Sequence, residues 1–159
     1  MTASSDVRYR VAGAGDVPAM AECRTSDPAA GLADPRMTAY FNGEHHPGEA
    51  LAPRIGFVAV AGDRVIGYIA GHRTTRHGCA GEVQYLFVAP AYRRRGIATG
   101  LLRELAQWFE GQGARTVCVN VAPDSPAAKP FYESVGASPI KKFWYAWDDI
   151  SEDISDVLE

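Results

Sequence analysis

With 159 residues, the chain has the length of a single domain with one core, and its 47% hydrophobic and 22% charged content is that of a globular protein. The formal net charge of −3 argues against nucleic-acid binding, which needs a basic surface, and slightly favours a cationic substrate. The polar segment at residues 1–11 lacks the apolar core of a signal peptide, and no apolar run is long enough to span a membrane. We therefore expect a soluble, cytoplasmic protein.

The three cysteines, Cys23, Cys79 and Cys118, are widely separated in sequence. No C-x-x-C pair is present, which argues against a zinc ribbon or a redox motif. Free thiols in a reducing compartment are the simplest interpretation.

The first half of the chain predicts a strand, a helix and a hairpin. Alternation at residues 7–11 indicates a strand with one buried face, and a helix is expected from Asp16 to just before Asp27-Pro28. Residues 29–53 show a weak pattern, typical of loops and short helical pieces. Two apolar runs at residues 55–70, separated by a turn at 62–64, predict a β-hairpin.

The second half predicts five further elements. These are a strand at 82–88, an amphipathic helix at 97–109, a strand at 117–121, a short helix from Pro126 through Tyr132, and an aromatic strand at 142–147. The acidic tail at 148–159 is expected to be mobile or loosely helical. This order predicts an α+β fold in which helices flank a mixed, mostly antiparallel central sheet.

The segment between the strand at 82–88 and the long helix carries the chemistry. A turn that enters a helix leaves backbone N–H groups unpaired at the positive end of the helix dipole, which suits a pyrophosphate. Small residues at Gly96 and Ala98 allow phosphate oxygens to approach the backbone. Three consecutive arginines at 93–95 add positive charge at the same place.

The pattern Arg93-x-x-Gly96-x-Ala98 resembles the Arg/Gln-x-x-Gly-x-Gly/Ala motif of the GCN5-related N-acetyltransferase (GNAT) superfamily. The context is also similar, because the motif follows a strand, opens an amphipathic helix and precedes a helix that carries Tyr132. The resemblance covers residues 55–147, and before Ile55 it extends only to the order of elements. It implies the GNAT fold and acetyl-CoA as the cosubstrate.

By this resemblance, the cosubstrate is held by two segments and two further residues. The main chain of Leu86, Phe87 and Val88 would pair with the pantetheine arm. The loop and first helical turn would hold the pyrophosphate through Arg93, Arg94, Arg95, Gly96, Ile97, Ala98 and Thr99. Ser125 stands where many members have an asparagine, so that contact depends on its hydroxyl, and Tyr132 is the family's tyrosine.

Two residues are candidates for catalysis. Glu82 lies six residues before Val88, an offset that matches the catalytic glutamate of the histone acetyltransferase branch, and it would take the proton of the amine through water. Tyr132 would protonate the departing sulfur. An exposed strand-end glutamate and a core tyrosine are the structural alternatives.

Three other features favour structural or pocket-lining roles over catalysis or metal binding. Asn120 stands where the branch acting on ribosomal protein N-termini has a glutamate base, so we expect Asn120 to satisfy strand-end backbone groups instead. Glu44-His45-His46 has no third ligand for a metal, which predicts a polar loop that could line the acceptor pocket. The aromatic run at 143–147 predicts sheet core together with an interface or a pocket wall.

The sequence thus predicts an N-acetyltransferase that moves an acetyl group from acetyl-CoA to a primary amine within a ternary complex. The acceptor would be a small cationic amine or a protein amine, and neither a nucleic acid nor a membrane is an expected partner. A homodimer is expected because family members are often dimers. A non-catalytic module that binds acyl-CoA is the alternative, and a longer acyl chain is a third possibility.

Overall fold

A computed structural model of the protein describes residues 6–30, 34–123 and 125–158. The start of the polar N-terminal segment at 1–5, part of the predicted loop region at 31–33 and the last residue of the acidic tail lie outside the described residues. None of the helices in the described ranges is long and apolar enough to cross a membrane.

The described residues form seven strands and five α-helices. The strands are β1 (Val7–Ala12), β2 (Ala50–Ala61), β3 (Arg64–Thr74), β4 (Gly81–Val88), β5 (Val117–Asn120), β6 (Ser138–Lys141) and β7 (Trp144–Trp147). The helices are α1 (Val17–Thr25), α2 (Met37–Phe41), α3 (Ile97–Gly111), α4 (Ala128–Ser134) and α5 (Ile150–Leu158).

All seven strands belong to one sheet, in the order β1-β2-β3-β4-β5-β7-β6. The β4–β5 pair is parallel, because α3 returns the chain to the starting end of β4, and every other pair is antiparallel. Helices cover both faces: α3 packs on β2, β3 and β4, and α1 packs on β3 and β4. The predicted α+β fold with a mostly antiparallel, mixed sheet is confirmed.

The sheet opens at its parallel pair. β4 pairs with β5 only at residues 81–83, opposite 117–119. Just beyond, the pairing of β4 with β3 shifts register between Ala70/Tyr85 and Gly71/Val83, so Gln84 forms a β-bulge. The bulge bends β4, and residues 84–88 diverge from β5 with one backbone edge unpaired in the sheet.

Several predicted boundaries were wrong. β2 begins at Ala50 rather than Ile55, and α4 begins at Ala128 rather than Pro126. The predicted strand at 142–147 is shorter than expected: β7 begins at Trp144, and a turn that contains Phe143 at a φ of 68° joins it to β6, which the sequence did not predict. Of the two alternatives for the acidic tail, the helical one is present: Ile150–Leu158 form α5, whose Ile150 and Ile154 are buried in the core with α3 residues.

Candidate active site

The open edge of β4 presents backbone groups toward the gap between β4 and β5. Ala89 N donates to Ile66 O at 2.8 Å, so residue 89 faces β3. Because the direction of N–H and C=O groups alternates along a strand, Leu86 and Val88 face the open edge and Phe87 faces β3. An extended polar chain in the gap can therefore pair with Leu86 and Val88 as an added strand would.

This edge leads directly to the N-terminus of α3. Gly96 precedes the helix with φ 79° and ψ 11°, a left-handed conformation that glycine adopts at little cost. A Cβ at residue 96 would meet no atom within 4 Å, so the space beside it is open. The first hydrogen bond across this turn runs from Gly100 N to Gly96 O. The N–H groups of Ile97, Ala98 and Thr99 therefore lack intrahelical acceptors and can bind an anion.

The three arginines of the loop have different surroundings. Arg93 is engaged: its Nη2 lies 2.7 Å from Asp27 Oδ2 and its Nε donates to Val88 O at 2.9 Å. Arg93 thus holds the loop against the segment after α1 and occupies the Val88 carbonyl. Arg94 and Arg95 are exposed, and Arg95 stacks on Tyr92. The exposed pair supplies the positive charge available to a phosphate.

Ser125 lies just before α4, and Tyr132 lies within that helix. Ser125 is exposed, and its carbonyl accepts from Ala128 N at 3.2 Å at the start of the helix. Tyr132 is buried against Phe131 and Trp147. Burial raises the pKa of Tyr132 well above its usual value, so the phenol keeps its proton at neutral pH.

Glu82 is a buried carboxylate rather than an exposed strand-end residue. Its Oε1 accepts from Arg76 Nε at 2.9 Å and lies 3.7 Å from His72 Nε2. The side chain of Glu82 is only 6% exposed. Register places His72, Glu82 and Cys118 side by side across β3, β4 and β5, and partners in register share a face of the sheet. Glu82 therefore stands at the last paired residues before β4 and β5 diverge.

The sequence did not predict the residues around Glu82. His72 is fully buried, its Nδ1 lies 2.8 Å from the Tyr40 hydroxyl, and its Nε2 has no hydrogen-bond partner among the described residues. Arg76 stacks on Trp144, and its Nη2 donates to Gly48 O at 2.5 Å. No motif signals these contacts, because they join residues on different elements. Only the strand register could have placed His72 beside Glu82.

The loop with Glu44, His45 and His46 approaches the same cluster through Arg54. Arg54 donates to His45 O at 2.7 Å and to Tyr40 O at 3.0 Å, and it lies 2.8 Å from His46 Nδ1. Its guanidinium also stacks on the ring of Tyr40. The loop therefore lies beside the Tyr40–His72 pair.

Asn120 and the aromatic run behave largely as predicted. Asn120 Nδ2 donates to Phe143 O at 3.2 Å, which satisfies a backbone group at the strand end. Tyr145 and Trp147 are core residues, whereas Trp144 is half-buried and packs against Arg76 and His77. Cys23, Cys79 and Cys118 are free and buried.

The open edge of β4 leads into the N-terminus of α3, and a buried carboxylate lies where β4 and β5 part, so this region can hold an extended anionic molecule beside a buried acid. The sequence matches the Acetyltransferase (GNAT) family over residues 18–137. The chain belongs to this family of acetyltransferases.

Individual relatives agree with this assignment. An uncharacterised N-acetyltransferase, YobR of Bacillus subtilis (strain 168), is 31% identical over 65 residues, which cover 41% of this chain and 26% of that relative. The match thus spans about a quarter of the relative's length. A GNAT-family acetyltransferase from Staphylococcus aureus Mu50 superposes with a TM-score of 0.73 at 14% identity, covering 91% of this chain and 99% of that one. PaiA N-acetyltransferase from Thermoplasma acidophilum, solved with coenzyme A, superposes with a TM-score of 0.63 at 15% identity. The superposition covers 92% of this chain and 97% of that one.

Proposed function

We propose that this protein transfers an acetyl group from acetyl-CoA to a primary amine, directly and within a ternary complex. The observation that carries the proposal is the continuity of three features: the unpaired edge of β4, the open N-terminus of α3, and Glu82 at the point where β4 and β5 part. The relative solved with coenzyme A has the same fold. Small amines and protein amines are the proposed acceptors, and the cytoplasmic location and the homodimer remain predictions.

The cosubstrate would lie along the gap between β4 and β5. Leu86 and Val88 would pair with the amide groups of the pantetheine arm, with the Val88 carbonyl already shared with Arg93. The N–H groups of residues 97–99 would bind the pyrophosphate, and Arg94 and Arg95 would neutralise its charge. Acetyl-CoA supplies the acetyl group as a thioester.

Glu82 and Tyr132 would handle the protons. Glu82 takes one proton from the substrate ammonium, directly or through water, and frees the nitrogen lone pair. The amine then attacks the thioester carbonyl carbon, so that a C–N bond forms and the C–S bond breaks. Tyr132 protonates the departing sulfur. The second proton lost by the nitrogen passes through solvent to the tyrosine oxygen and restores the phenol. The products are an N-acetylated amine and free coenzyme A.

Binding of acetyl-CoA, measured by calorimetry, tests the cosubstrate site. Asn and Asp both tolerate the left-handed backbone of residue 96, and the space beside it is open. Gly96→Asp and Gly96→Asn therefore differ mainly in one negative charge next to the proposed pyrophosphate. We expect the Kd of Gly96→Asp to exceed that of Gly96→Asn by about tenfold or more, which is ~1.4 kcal/mol.

Equal affinity in the two variants would place the pyrophosphate elsewhere. If the wild type does not bind acetyl-CoA, the proposed function is wrong. Release of the coenzyme A thiol with a panel of amines then tests the transfer itself, and binding without turnover of any amine would favour a non-catalytic module.

A further inference from the structure

The hydrogen-bonding capacity around Glu82 is filled unevenly. Oε1 accepts from Arg76 Nε and also faces His72 Nε2. Oε2 has no hydrogen-bond partner among the described residues. A carboxylate offers about four acceptor positions, and buried groups of this kind are normally satisfied. Glu82 Oε2 is therefore the atom that can accept a hydrogen bond from a bound substrate.

The neighbouring Tyr40 fixes which ring nitrogen of His72 carries the proton. Tyr40 is fully buried, and within the described part of the chain its hydroxyl contacts only His72 Nδ1. A buried hydroxyl needs an acceptor, so Tyr40 donates to Nδ1 and the hydrogen of a neutral His72 lies on Nε2. Nε2 lies 3.7 Å from Oε1, which is too far for a hydrogen bond, but its N–H adds positive potential beside that oxygen. Arg76 therefore holds Oε1 and leaves Oε2 for the acceptor amine.

Arg76 is fixed in place but retains a free donor group. Its Nε binds Glu82, its Nη2 binds the Gly48 carbonyl, and its guanidinium plane stacks on Trp144. Nη1 has no partner among the described residues, and the side chain is 22% exposed. A guanidinium held on one edge and one face is pre-organised to bind a carboxylate with its remaining N–H groups.

The charges at this site do not suit a polycation. Glu82 is already neutralised by Arg76, and Arg54 adds another positive charge beside Tyr40. Asp34, near Tyr85, is bound by Arg36 at 3.1 Å and accepts from the Tyr85 hydroxyl at 3.1 Å. A second ammonium group would therefore find no unpaired carboxylate among these residues.

We propose that the acceptor is an amine with a carboxylate next to it, as in an amino acid or a related small zwitterion. The ammonium would donate to Glu82 Oε2, and the carboxylate would accept from Arg76 Nη1. The neutral Glu82–Arg76 ion pair presents one acceptor and one donor side by side, which complements a zwitterion. This inference rests on the proposed acetyltransferase function and narrows its acceptor. The net charge of the chain favours a cation, but the charges in contact with the base decide recognition.

Matched acceptors provide the test. The initial rate of coenzyme A release is measured for the common amino acids and for their carboxamides, which keep the amine and the side chain but lose the carboxylate. Spermidine represents the polycations. For the best amino acid, we expect kcat/KM to exceed that of its carboxamide by tenfold or more, and spermidine to react more slowly than either.

Arg76→Gln tests whether Arg76 is the group that recognises the carboxylate. We expect this variant to lose the preference for the acid over the amide, while Arg76→Lys keeps part of it. Arg115→Gln is the matched control, because Arg115 also forms an ion pair, with Asp149 at 3.0 Å, and that pair does not include Glu82. The melting temperature of each variant separates unfolding from altered recognition. Since Arg76→Lys retains the charge beside Glu82, it keeps the test valid if Arg76→Gln does not fold.

Each outcome decides the proposal. Equal rates for acids and amides, faster reaction of spermidine, or a preference that survives Arg76→Gln would overturn it and leave the acetyltransferase function intact. If no amine reacts, calorimetric titration of an acid and its amide into protein saturated with coenzyme A replaces the rate. Equal affinity for the acid and its amide overturns the proposal of a zwitterionic acceptor. Tighter binding of the acid supports the proposal and shows that the transfer step is what fails.

Discussion

Glu82 is the residue on which the chemistry depends. It is buried, it bears a guanidinium on one oxygen, and its other oxygen is free to accept a proton. Arg76 Nε donates to its Oε1 at 2.9 Å, and His72 Nε2 lies 3.7 Å from the same oxygen, so the carboxylate is held in one orientation by Arg76. A base held in this way loses little conformational freedom when the amine arrives.

The first prediction concerns Glu82→Gln. The amide keeps the size of the side chain but cannot take a proton, so kcat/KM should fall by roughly 10²–10⁴, the usual contribution of a general base. The affinity for acetyl-CoA, measured by calorimetry, should stay within about twofold of the wild-type value. Glu133→Gln is the control, since Glu133 is exposed and accepts from the Tyr145 hydroxyl. Unchanged turnover in Glu82→Gln would assign the base to another group.

The second prediction concerns Tyr132, whose pKa is raised by burial. Because the phenol stays protonated, it can donate throughout the neutral and mildly alkaline range. Tyr132→Phe removes the donor, and we expect kcat to fall by about 10–100-fold with little change in KM. Tyr145→Phe is a matched control, because Tyr145 is equally buried and donates to Glu133 at 2.9 Å. Similar losses in both variants would indicate a packing role for Tyr132.

At the scale of elements, the part of the site that sequence predicted is the local part. Residues 82–88 are rich in β-branched and aromatic residues, and residues 97–109 have helical periodicity. The motif of the loop between them consists of consecutive residues. β6 was missed because Ser138–Lys141 is exposed at every position and contains a proline, so no alternation marks it. The first residues of β2 were missed for a similar reason, since residues 50–54 are partly exposed and include Pro53.

The cluster around Glu82 could not be predicted, because it is assembled by register. Tyr40 and His72 are 32 residues apart, and they meet only because α2 packs on the face of the sheet that bears His72. The position of Arg76 depends on the conformation of the β3–β4 connection, where His77 has a φ of 54°. A left-handed residue other than glycine has no reliable signal in a single sequence.

The third prediction concerns the ion pair between Asp27, just after α1, and Arg93, which joins α1 to the loop before α3. The hydrogen bond from Arg93 lowers the pKa of Asp27, so the carboxylate stays charged down to a pH below its ordinary value of about 4. Asp27→Asn should raise the Kd for acetyl-CoA several-fold, because the loop loses an anchor and must be ordered on binding. Calorimetry at pH 7 measures this effect.

The control for Asp27→Asn is Asp16→Asn. Asp16 forms an equivalent ion pair with Arg10 at 2.9 Å but does not touch the loop. Exposed pairs contribute little to folding, so both variants should retain the wild-type melting temperature within a few degrees. An equal loss of affinity in both would refute an anchoring role for Asp27.

At the scale of the whole molecule, buried ionisable groups set the response to alkaline pH. Burial raises the pKa of Cys118 and of Cys79, and it raises the pKa of Cys23 to about 11. The unfolded chain releases these protons near pH 8.5, whereas the folded protein keeps them. Above that pH the unfolded state binds fewer protons, so the free energy of unfolding falls as pH rises, by up to about 1.4 kcal/mol per pH unit for each thiol.

The last prediction follows for Cys118→Ala. Urea unfolding under reducing conditions, measured from pH 7 to pH 10, should show a shallower alkaline decline in this variant, by up to about 1.4 kcal/mol per pH unit above pH 8.5. Val119→Ala, the neighbouring core residue on β5, controls for lost packing, which lowers stability equally at every pH. An unaltered slope in Cys118→Ala would mean that the thiol titrates alike in the folded and unfolded states. A reduced slope would show that burial beside the proposed base raises the pKa of this thiol in the folded protein above its value in the unfolded chain.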